Sequence, residues 1–279
     1  MRGAPWILAL AVLTAGCSGA GKHEAKAPAT TTTSASTSTS TEASSSAGAK
    51  PSRKVAAQPK PARRKERPQR ARRTLPWQRD GMSRVVHVKV PRVAVYSSPS
   101  AKHAVLLLRK RDARGTPRTF LVRSMTRKWI HVYLPSRPNG SQGWVRARAV
   151  RTYTNGYRIV VRLDAHRLFL WRGTKRIAAY PVAVGTPSTP TPRGLFYIVE
   201  LLKPYDPNGS YGPYAFGLSA HSNKLKTFAG GDGRVGMHGT DQPGLIGTSV
   251  SHGCIRLRNA AIRRLAKILP LGTPVYVRG

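Results

Sequence analysis

Two short runs near the C-terminus hold residue types that together can break or form an amide bond. The runs are residues 237–240, MHGT, and residues 251–254, SHGC. A free cysteine thiol has a pKa of about 8.5, so few such thiols are ionised at neutral pH. A neighbouring imidazole can take the thiol proton and return it to a leaving amine. The pattern therefore predicts Cys254 as a nucleophile and His238 as its base.

Glycines in these runs favour a close approach of the backbone to the reacting atoms. Gly239 removes bulk beside the predicted base, and Gly253 lets the chain turn sharply just before the predicted nucleophile. Backbone N–H groups gathered at such a turn can hold the oxyanion of a tetrahedral intermediate. Ser251 has no base of its own in this pattern, so we expect its hydroxyl to fix the loop through a local hydrogen bond.

Two other interpretations of these residues compete with the catalytic one. A lone cysteine is commonly a small buried apolar residue, which a glycine before it and two nearby histidines disfavour here. His238, His252 and Cys254 could instead bind zinc, but the sequence offers no second cysteine in this region, no Cys-x-x-Cys pair and no supporting carboxylate cluster. We therefore predict no metal and no cofactor.

The C-terminal part, residues 156–279, must position these groups. Its alternating patterns predict strands at 157–163, 167–171, 176–184, 194–199 and 274–277. Short turns between them favour a mainly antiparallel sheet. A helix is predicted after Asn259 as its cap, with Ile262, Leu265, Ile268 and Leu269 on its buried face. The Gly- and Pro-rich stretch 205–221 is predicted as a loop that could be a lid, a wall of the substrate site or a plain surface loop. Its aromatic side chains are Tyr205, Tyr211, Tyr214 and Phe216, with His221 at its end.

Residues 84–153 predict a separate small all-β unit. Its short strands are expected at 85–90, 93–96, 119–122, 129–134 and 143–145, with turn-forming clusters between them. The unit could bind a partner or substrate, or it could be a spacer that packs on residues 156–279.

The remaining N-terminal residues predict export and tethering. Residues 1–21 read as a leader with a positive start, a short apolar run and small residues before Cys17, and the alternatives are a lipidated cysteine or a plain cleaved signal peptide. Residues 22–83, rich first in Ser and Thr and then in Lys, Arg, Pro and Ala, predict a disordered tether. The basic part of the tether could grip anionic polymers or simply be a solvated spacer. The two cysteines, Cys17 and Cys254, are not expected to pair.

The charge of the chain restricts its partners. Lys and Arg number 48 against 10 Asp and Glu, which gives a formal net charge of +38. A field of this strength favours polyanions such as nucleic acid, anionic lipid headgroups or anionic wall polymers, and composition alone cannot choose among them. The leader and the absence of a nucleic-acid-binding motif argue against nucleic acid.

The two motifs resemble those of a known enzyme family. The pair HGT and SHGCIRL is similar to the signature of the L,D-transpeptidase (YkuD-type) catalytic domain. The resemblance extends to TPTPRGLF at 189–196, to GPYA at 212–215 and to the closing helix with its GTPV, so it covers most of residues 157–279. Residues 134–145, LPSRPNGSQGWV, and VYSSP at 95–99 resemble bacterial SH3-like domains, and the AGC ending of the leader resembles a lipoprotein signal.

The resemblance implies a fold and a set of roles. It implies a mainly β fold, with a β-sandwich-like catalytic domain that carries a short helix, plus a small SH3-like β-barrel. The thiol of Cys254 is expected to be acylated, His238 to be the base oriented by the carbonyl of Gly239, and His252 to shape the site. The residues expected to line the substrate site are Ser251, Gly253, Arg256 and Tyr214. Arg256 could bind a stem carboxylate or form a structural ion pair.

The expected activity follows from the same resemblance. The substrates would be peptidoglycan peptide stems, joined through 3→3 cross-links, and carbapenems would inactivate the enzyme by acylating its cysteine. The alternatives are an L,D-carboxypeptidase, in which water replaces the acceptor amine, and a non-enzymatic protein that binds the cell wall or polyanions. Cysteine peptidases that cut wall stems place the cysteine before the histidine, whereas here His238 comes first. The expected location is the outer face of the cytoplasmic membrane, through a lipid on Cys17.

Overall fold

The computed structural model describes Leu75, residues 80–228 and residues 230–279. The predicted leader, Cys17 and nearly all of the predicted tether lie outside the described residues and remain predictions. The described part is built mainly from β-strands, as expected, with a single α-helix. None of the helices within it is long and apolar enough to cross a membrane.

Seven strands form an N-terminal sheet. They are β1 (Ser83–Val88), β2 (Arg92–Tyr96), β3 (Leu106–Arg109), β4 (Thr119–Met125), β5 (Trp129–Tyr133), β6 (Gln142–Arg146) and β7 (Val150–Asn155). Their order across the sheet is β3-β2-β6-β5-β4-β1-β7, and neighbouring strands run antiparallel. Alternate residues of these strands meet in a core of Val, Ile, Leu and Phe side chains. The prediction missed β3 and β7, whose residues are mostly exposed and therefore show no apolar–polar alternation.

Ten strands and the helix form the C-terminal part. They are β8 (Tyr157–Arg162), β9 (Arg167–Arg172), β10 (Lys175–Pro181), β11 (Val184–Gly185), β12 (Gly194–Leu202), β13 (Ala215–His221), β14 (Arg234–His238), β15 (Ser249–Ser251), β16 (Ile255–Arg256), α1 (Asn259–Ile268) and β17 (Pro274–Arg278). The main sheet has the order β10-β9-β8-β17-β12-β13-β14-β16, and β11 pairs with β15 beside it. Most pairs are antiparallel, as predicted; β17 with β8, β14 with β16 and β11 with β15 are parallel.

Strand β13 corrects one prediction. Residues 205–221 were expected to form a loop, yet Ala215–His221 is a strand in which every residue is buried. Successive side chains point to opposite faces, so the burial of all seven residues means that both faces are covered, and the sequence AFGLSAH therefore lacks the apolar–polar alternation of a half-exposed strand. The loop proper is confined to the residues before β13.

The helix α1 was predicted correctly in extent but not in two details. Ile262 and Leu265 are fully buried in the main core, whereas Ile268 is 36% exposed, because it lies in the last turn and faces outward. Asn259 does not cap the helix: Arg258 occupies the cap position without a side-chain bond. The side chain of Asn259 is used elsewhere, since its Oδ1 accepts the N–H of Thr240 at 2.9 Å.

The two sheets pack on each other through a small apolar cluster. Val85 and Leu121 of the N-terminal sheet bury against Tyr197 of β12, whose hydroxyl donates to the carbonyl of Tyr133 at 3.0 Å. The side chain of Asn155 also donates to Thr273 Oγ1 at 3.0 Å. All described residues accordingly fall within one compact unit, Glu66–Gly279.

Candidate active site

The parallel pairing of β14 with β16 brings the two motifs together. Met237 lies opposite Ile255 and His238 opposite Arg256, so Cys254, just before β16, comes beside Gly236. The N–H of Gly236 donates to Cys254 Sγ at 3.3 Å. A donor at this point stabilises negative charge on the sulfur. Strand pairing thus fixes the predicted nucleophile against the strand that carries the predicted base.

The sulfur and the imidazole flank Gly236 and face one cavity. A Cβ atom at Gly236 would lie 3.7 Å from Cys254 Sγ and 3.5 Å from Cδ2 of His238. Both side chains line a cavity of about 480 Å³. This volume is in the range of small-ligand sites. The structure therefore brings together the two residues that the sequence singled out.

The orientation of His238 is fixed by its own neighbour. Its Nδ1 lies 2.7 Å from the carbonyl oxygen of Gly239, which can only accept, so Nδ1 carries the proton. The other ring nitrogen, Nε2, is then the basic one. The ring is buried, and the ring of Tyr211 packs on it with centroids 4.7 Å apart. This arrangement leaves a neutral imidazole ready to accept a proton on one defined atom.

Burial keeps both groups uncharged at rest. Desolvation lowers the pKa of His238 to about 4, against smaller opposing effects of the Gly239 carbonyl and of Asp241. Desolvation also raises the pKa of the Cys254 thiol, although the Gly236 N–H and the Arg256 cation oppose it. The pair is therefore a neutral thiol with a neutral base, and the proton moves when the sulfur attacks.

The loop before the nucleophile is fixed by the serine, as predicted. Ser251 Oγ donates to the carbonyl of Cys254 at 2.6 Å and accepts the N–H of Gly253 at 3.1 Å. Gly253 has φ of +114°, a conformation that side chains rarely adopt, so a glycine is needed there. Its N–H group is used inside the loop. The oxyanion of a tetrahedral intermediate would therefore need hydrogen-bond donors other than the N–H of Gly253.

A contact between two glycines supports the carbonyl that orients the base. Gly212, with φ of +62°, lies against Gly239, and a Cβ on it would fall 2.7 Å from Gly239 Cα. A Cβ on either glycine would also collide with Oδ1 of Asn259. The helix start and the loop before β13 together hold Gly239 in place.

Arg256 is half-buried on β16, two residues after Cys254. Its Nε is buried without a hydrogen-bond partner, and none of the ion pairs found in residues 80–228 and 230–279 includes it. A buried donor without a partner is costly, and a bound anion would satisfy it. This geometry gives no support to the structural ion pair considered from the sequence.

Of the predicted site residues, Cys254 and His238 line the main cavity, whereas the others do not: Gly239, Ser251, His252, Gly253, Arg256 and Tyr214. His252 is exposed and borders a smaller recess behind Cys254, where its ring centroid lies 5.3 Å from that of Phe228. Tyr214 packs against the main core, and its carbonyl accepts the N–H of Gly239 at 3.3 Å. Of the predicted aromatic wall, Tyr211 and Phe216 do line the cavity, whereas Tyr205 is fully exposed.

Several cavity residues were missed from the sequence. They are Arg114, Glu200, Lys203, Phe228, Asp232, Arg234 and Gly236. Glu200 is buried, and Arg114, from the N-terminal sheet, pairs with it at 3.1 Å. The rarity of acidic residues could have drawn attention to two of them. From Asp80 onward the chain has 7 Asp and Glu, and two of these, Glu200 and Asp232, line the cavity. Within the part of the chain that the structure describes, no three His, Cys, Asp or Glu side chains gather as metal ligands.

Comparison with known proteins agrees with this geometry. Residues 156–277 match the family model of the L,D-transpeptidase catalytic domain, YkuD. Over 125 residues the chain is 38% identical to YkuD of Bacillus subtilis strain 168, assigned by name to the L,D-transpeptidases, and the alignment covers 45% of this chain and 68% of that protein. YkuD of Bacillus licheniformis is 39% identical over 121 residues, which cover 43% of this chain and 65% of that protein.

Among solved structures, an L,D-transpeptidase from Mycobacterium smegmatis has a TM-score of 0.38 and 17% identity, over 67% of this chain and 99% of that chain. The chain spans about two thirds of the length of the two Bacillus relatives. The two central motifs of the matched domain meet at one cavity. With 38% identity over 68% of the Bacillus subtilis protein, the chain belongs to the L,D-transpeptidase (YkuD) family.

Proposed function

We propose that the chain is a cysteine-dependent acyltransferase that forms 3→3 cross-links between peptidoglycan peptide stems. The observation that carries the proposal is that Cys254 and His238 line one cavity, with the sulfur held by the Gly236 N–H and the imidazole oriented by the Gly239 carbonyl. Membership of the family supports the class of reaction, and the geometry supports the assignment of Cys254 as nucleophile and His238 as base.

The first half of the reaction makes a thioester. Nε2 of His238 takes the thiol proton while Cys254 Sγ attacks the carbonyl at the L-centre of the third residue of a tetrapeptide stem. The carbon–nitrogen bond to the terminal D-Ala breaks, and the proton passes from His238 to the leaving amine. The fixed tautomer of His238 supports this assignment, because it leaves only Nε2 free to move the proton.

The second half transfers the acyl group. The side-chain amine of the third residue of another stem attacks the thioester, His238 takes the proton of this amine, and the thiolate regains it. A new amide replaces the thioester and the enzyme is restored. Arg256, with its unpartnered Nε, is proposed to bind a carboxylate of the stem. His252, exposed beyond the recess, is assigned to shaping the loop rather than to proton transfer.

Water in place of the amine would make the enzyme a carboxypeptidase, and no observation on the cavity favours this second activity. The experiment incubates the purified chain with disaccharide tetrapeptides and identifies products by mass spectrometry. We expect dimers joined 3→3 and free D-Ala from the wild-type chain, and neither from Cys254→Ala. Cross-linking that persists in Cys254→Ala would overturn the mechanism, and tripeptide without dimer would identify the carboxypeptidase.

We propose the same location as the sequence analysis predicted. A lipid on Cys17 would hold the chain at the outer face of the cytoplasmic membrane, and residues 22–83 would let the catalytic part reach the wall. The SH3-like assignment of residues 84–153 stays a prediction. The described part alone, from Asp80 onward, carries 33 Lys and Arg and a net charge of +26, which supports contact with anionic wall polymers.

A further inference from the structure

The loop between β13 and β14 forms one wall of the cavity but contributes few contacts of its own. Phe228, Gly231 and Asp232 of this loop line the cavity. Its described residues are mostly exposed. Its ends are joined by the hydrogen bond from the N–H of Ser222 to the carbonyl of Gly233 at 2.8 Å and by the contact of Asp232 with His221, and its other internal bonds are short-range, such as those from the N–H groups of Lys224 and Leu225 to Ser222 Oγ. A segment with so little buried surface depends on outside contacts for a fixed position.

One arginine of the N-terminal sheet supplies such contacts at both ends of the loop. Arg137, in the turn between β5 and β6, donates from Nη1 to the carbonyl of Ser222 at 2.6 Å. From Nη2 it donates to the carbonyls of Leu225 at 3.0 Å and Asp232 at 2.9 Å. Because the guanidinium is rigid and planar, three carbonyls bound to it are held at fixed spacing. The start and the end of the loop are thereby tied together.

Asn139 holds the end of β13 from the same turn. Its Nδ2 donates to the carbonyl of His221 at 2.7 Å, and its Oδ1 accepts the N–H of His221 at 2.8 Å. A side-chain amide that bonds both backbone groups of one residue substitutes for a neighbouring strand. Asn139 Nδ2 also lies 3.2 Å from Oδ1 of Asn223, the second residue of the loop.

The sequence of the loop accommodates the arginine. Gly233 has φ of +73°, and a Cβ atom there would lie 2.8 Å from Nη2 of Arg137 and would collide with the carbonyl of Leu225. A glycine at position 233 therefore allows Nη2 of Arg137 to reach the carbonyls of Leu225 and Asp232. The turn that presents Arg137 is itself closed, since Ser141 Oγ donates to the carbonyl of Pro138 at 2.7 Å.

We propose that Arg137 and Asn139 are positioning residues of the catalytic cleft. They fix the β13–β14 loop so that Phe228 and Asp232 form a wall for the donor stem. The N-terminal sheet is then a part of the donor site rather than only a spacer or an independent wall-binding unit. The expected change in KM rests on the proposed function. The placement of the β13–β14 loop can be measured without any turnover of substrate.

The kinetic test compares full-length Arg137→Ala and Asn139→Ala with the wild-type chain on a tetrapeptide donor. We expect KM to rise about tenfold while kcat changes less than twofold. The reason is that a displaced loop loses contacts with the donor stem that it makes equally in the ground state and in the transition state. Arg137→Lys, which keeps one or two of the three bonds, should recover part of the KM. The matched control is Arg123→Ala, on β4 of the same sheet, whose partner is Gln142 and which has no bond to the loop.

The structural test measures hydrogen exchange of the amides in residues 222–233. We expect faster exchange there in Arg137→Ala and Asn139→Ala, with β12 and β14 unchanged, and no change in Arg123→Ala. Unaltered exchange and a KM within twofold of wild type in both variants would overturn the positioning role. If the wild-type chain turned over no stem while exchange still rose in the variants, the proposed function would fail and the positioning role would stand.

Discussion

At the scale of single residues, the site rests on an uncharged pair. His238 is buried and oriented by the Gly239 carbonyl, and burial lowers the pKa of its imidazole to about 4. The thiol of Cys254 is shielded as well, and its pKa is raised. A neutral base of this kind needs no prior ionisation of the thiol, and it avoids a buried ion pair, whose desolvation is costly.

The lowered pKa of His238 predicts how acylation depends on pH. Above a pH of about 4 the imidazole is neutral and can accept a proton, so the rate of carbapenem acylation should stay nearly constant between about pH 5.5 and 7.5. Stopped-flow measurement across this range tests the prediction. A rate that rises tenfold with a midpoint near 6.5, the ordinary pKa of histidine, would contradict it.

His238→Ala is the matched variant for this experiment. It should acylate at least about a hundredfold more slowly at pH 7, which is the usual contribution of a positioned general base. Its rate should also rise with pH through the alkaline range, because only spontaneously ionised thiol would then react and the pKa of Cys254 lies above its ordinary value. A variant as fast as the wild type would show that the imidazole is not the base.

At the scale of elements, strand pairing and one helix position the reacting groups. The register of β14 against β16 places Cys254 beside Gly236, and α1 buries Ile262 and Leu265 in the core beneath these strands. The first residue of α1, Asn259, also bonds the N–H of Thr240 just after the base. The helix therefore supports the site through packing and through one side chain.

Truncating the buried face of α1 should destabilise the whole catalytic part. For Leu265→Ala we expect the free energy of unfolding to fall by about 2–5 kcal/mol, since the side chain is fully buried and leaves a cavity. Ile268→Ala, at a position that is 36% exposed in the same helix, should cost clearly less. Urea titration followed by circular dichroism measures both, and equal losses in the two variants would contradict the assigned buried face.

Much of this architecture could be predicted from the sequence, and the failures have physical reasons. The half-exposed strands β8 and β9 alternate apolar and polar residues and were found, as was α1 through its spacing of Ile262 and Leu265. The central strand β13 was taken for a loop because both of its faces are buried and no alternation results.

The candidate site divides in the same way. Cys254, His238, Gly239 and Ser251 lie within two short motifs, 237–240 and 251–254, so residue chemistry sufficed to select them. Glu200, Phe228 and Arg114 reach the cavity only through tertiary packing of distant segments, and no local pattern marks them. Asn259 was assigned a capping role from its position, but its side chain bonds Thr240 instead.

At the scale of the whole molecule, charge and architecture fit the proposed action on peptidoglycan stems and the proposed contact with anionic wall polymers. Two sheets share the cluster of Val85, Leu121 and Tyr197, and the catalytic cavity takes Arg114 from the N-terminal sheet. The net charge of +38 favours polyanionic partners, and the cavity is lined by both cationic and acidic side chains: Arg114, Lys203, Arg234, Glu200 and Asp232.

A fractionation experiment separates the two proposed modes of attachment. Wild-type chain in cells should stay with membranes in 1 M NaCl and be released by detergent, because acyl chains on Cys17 are insensitive to salt. Cys17→Ala should lose this anchor and be released from the cell envelope by salt alone, because screening weakens attraction between exposed charges. Release of the wild-type chain by salt would contradict lipid anchoring, and salt-resistant retention of Cys17→Ala would contradict ionic attachment.

The measurement that tests the catalytic claim most directly is the intact mass of the protein after brief exposure to a carbapenem. We predict one added carbapenem mass on the wild-type chain, located on Cys254 in the peptide map, and no adduct on Cys254→Ala under the same conditions. The absence of any adduct on properly folded wild-type chain, or an adduct of equal yield on Cys254→Ala, would contradict the assignment of this thiol as the nucleophile.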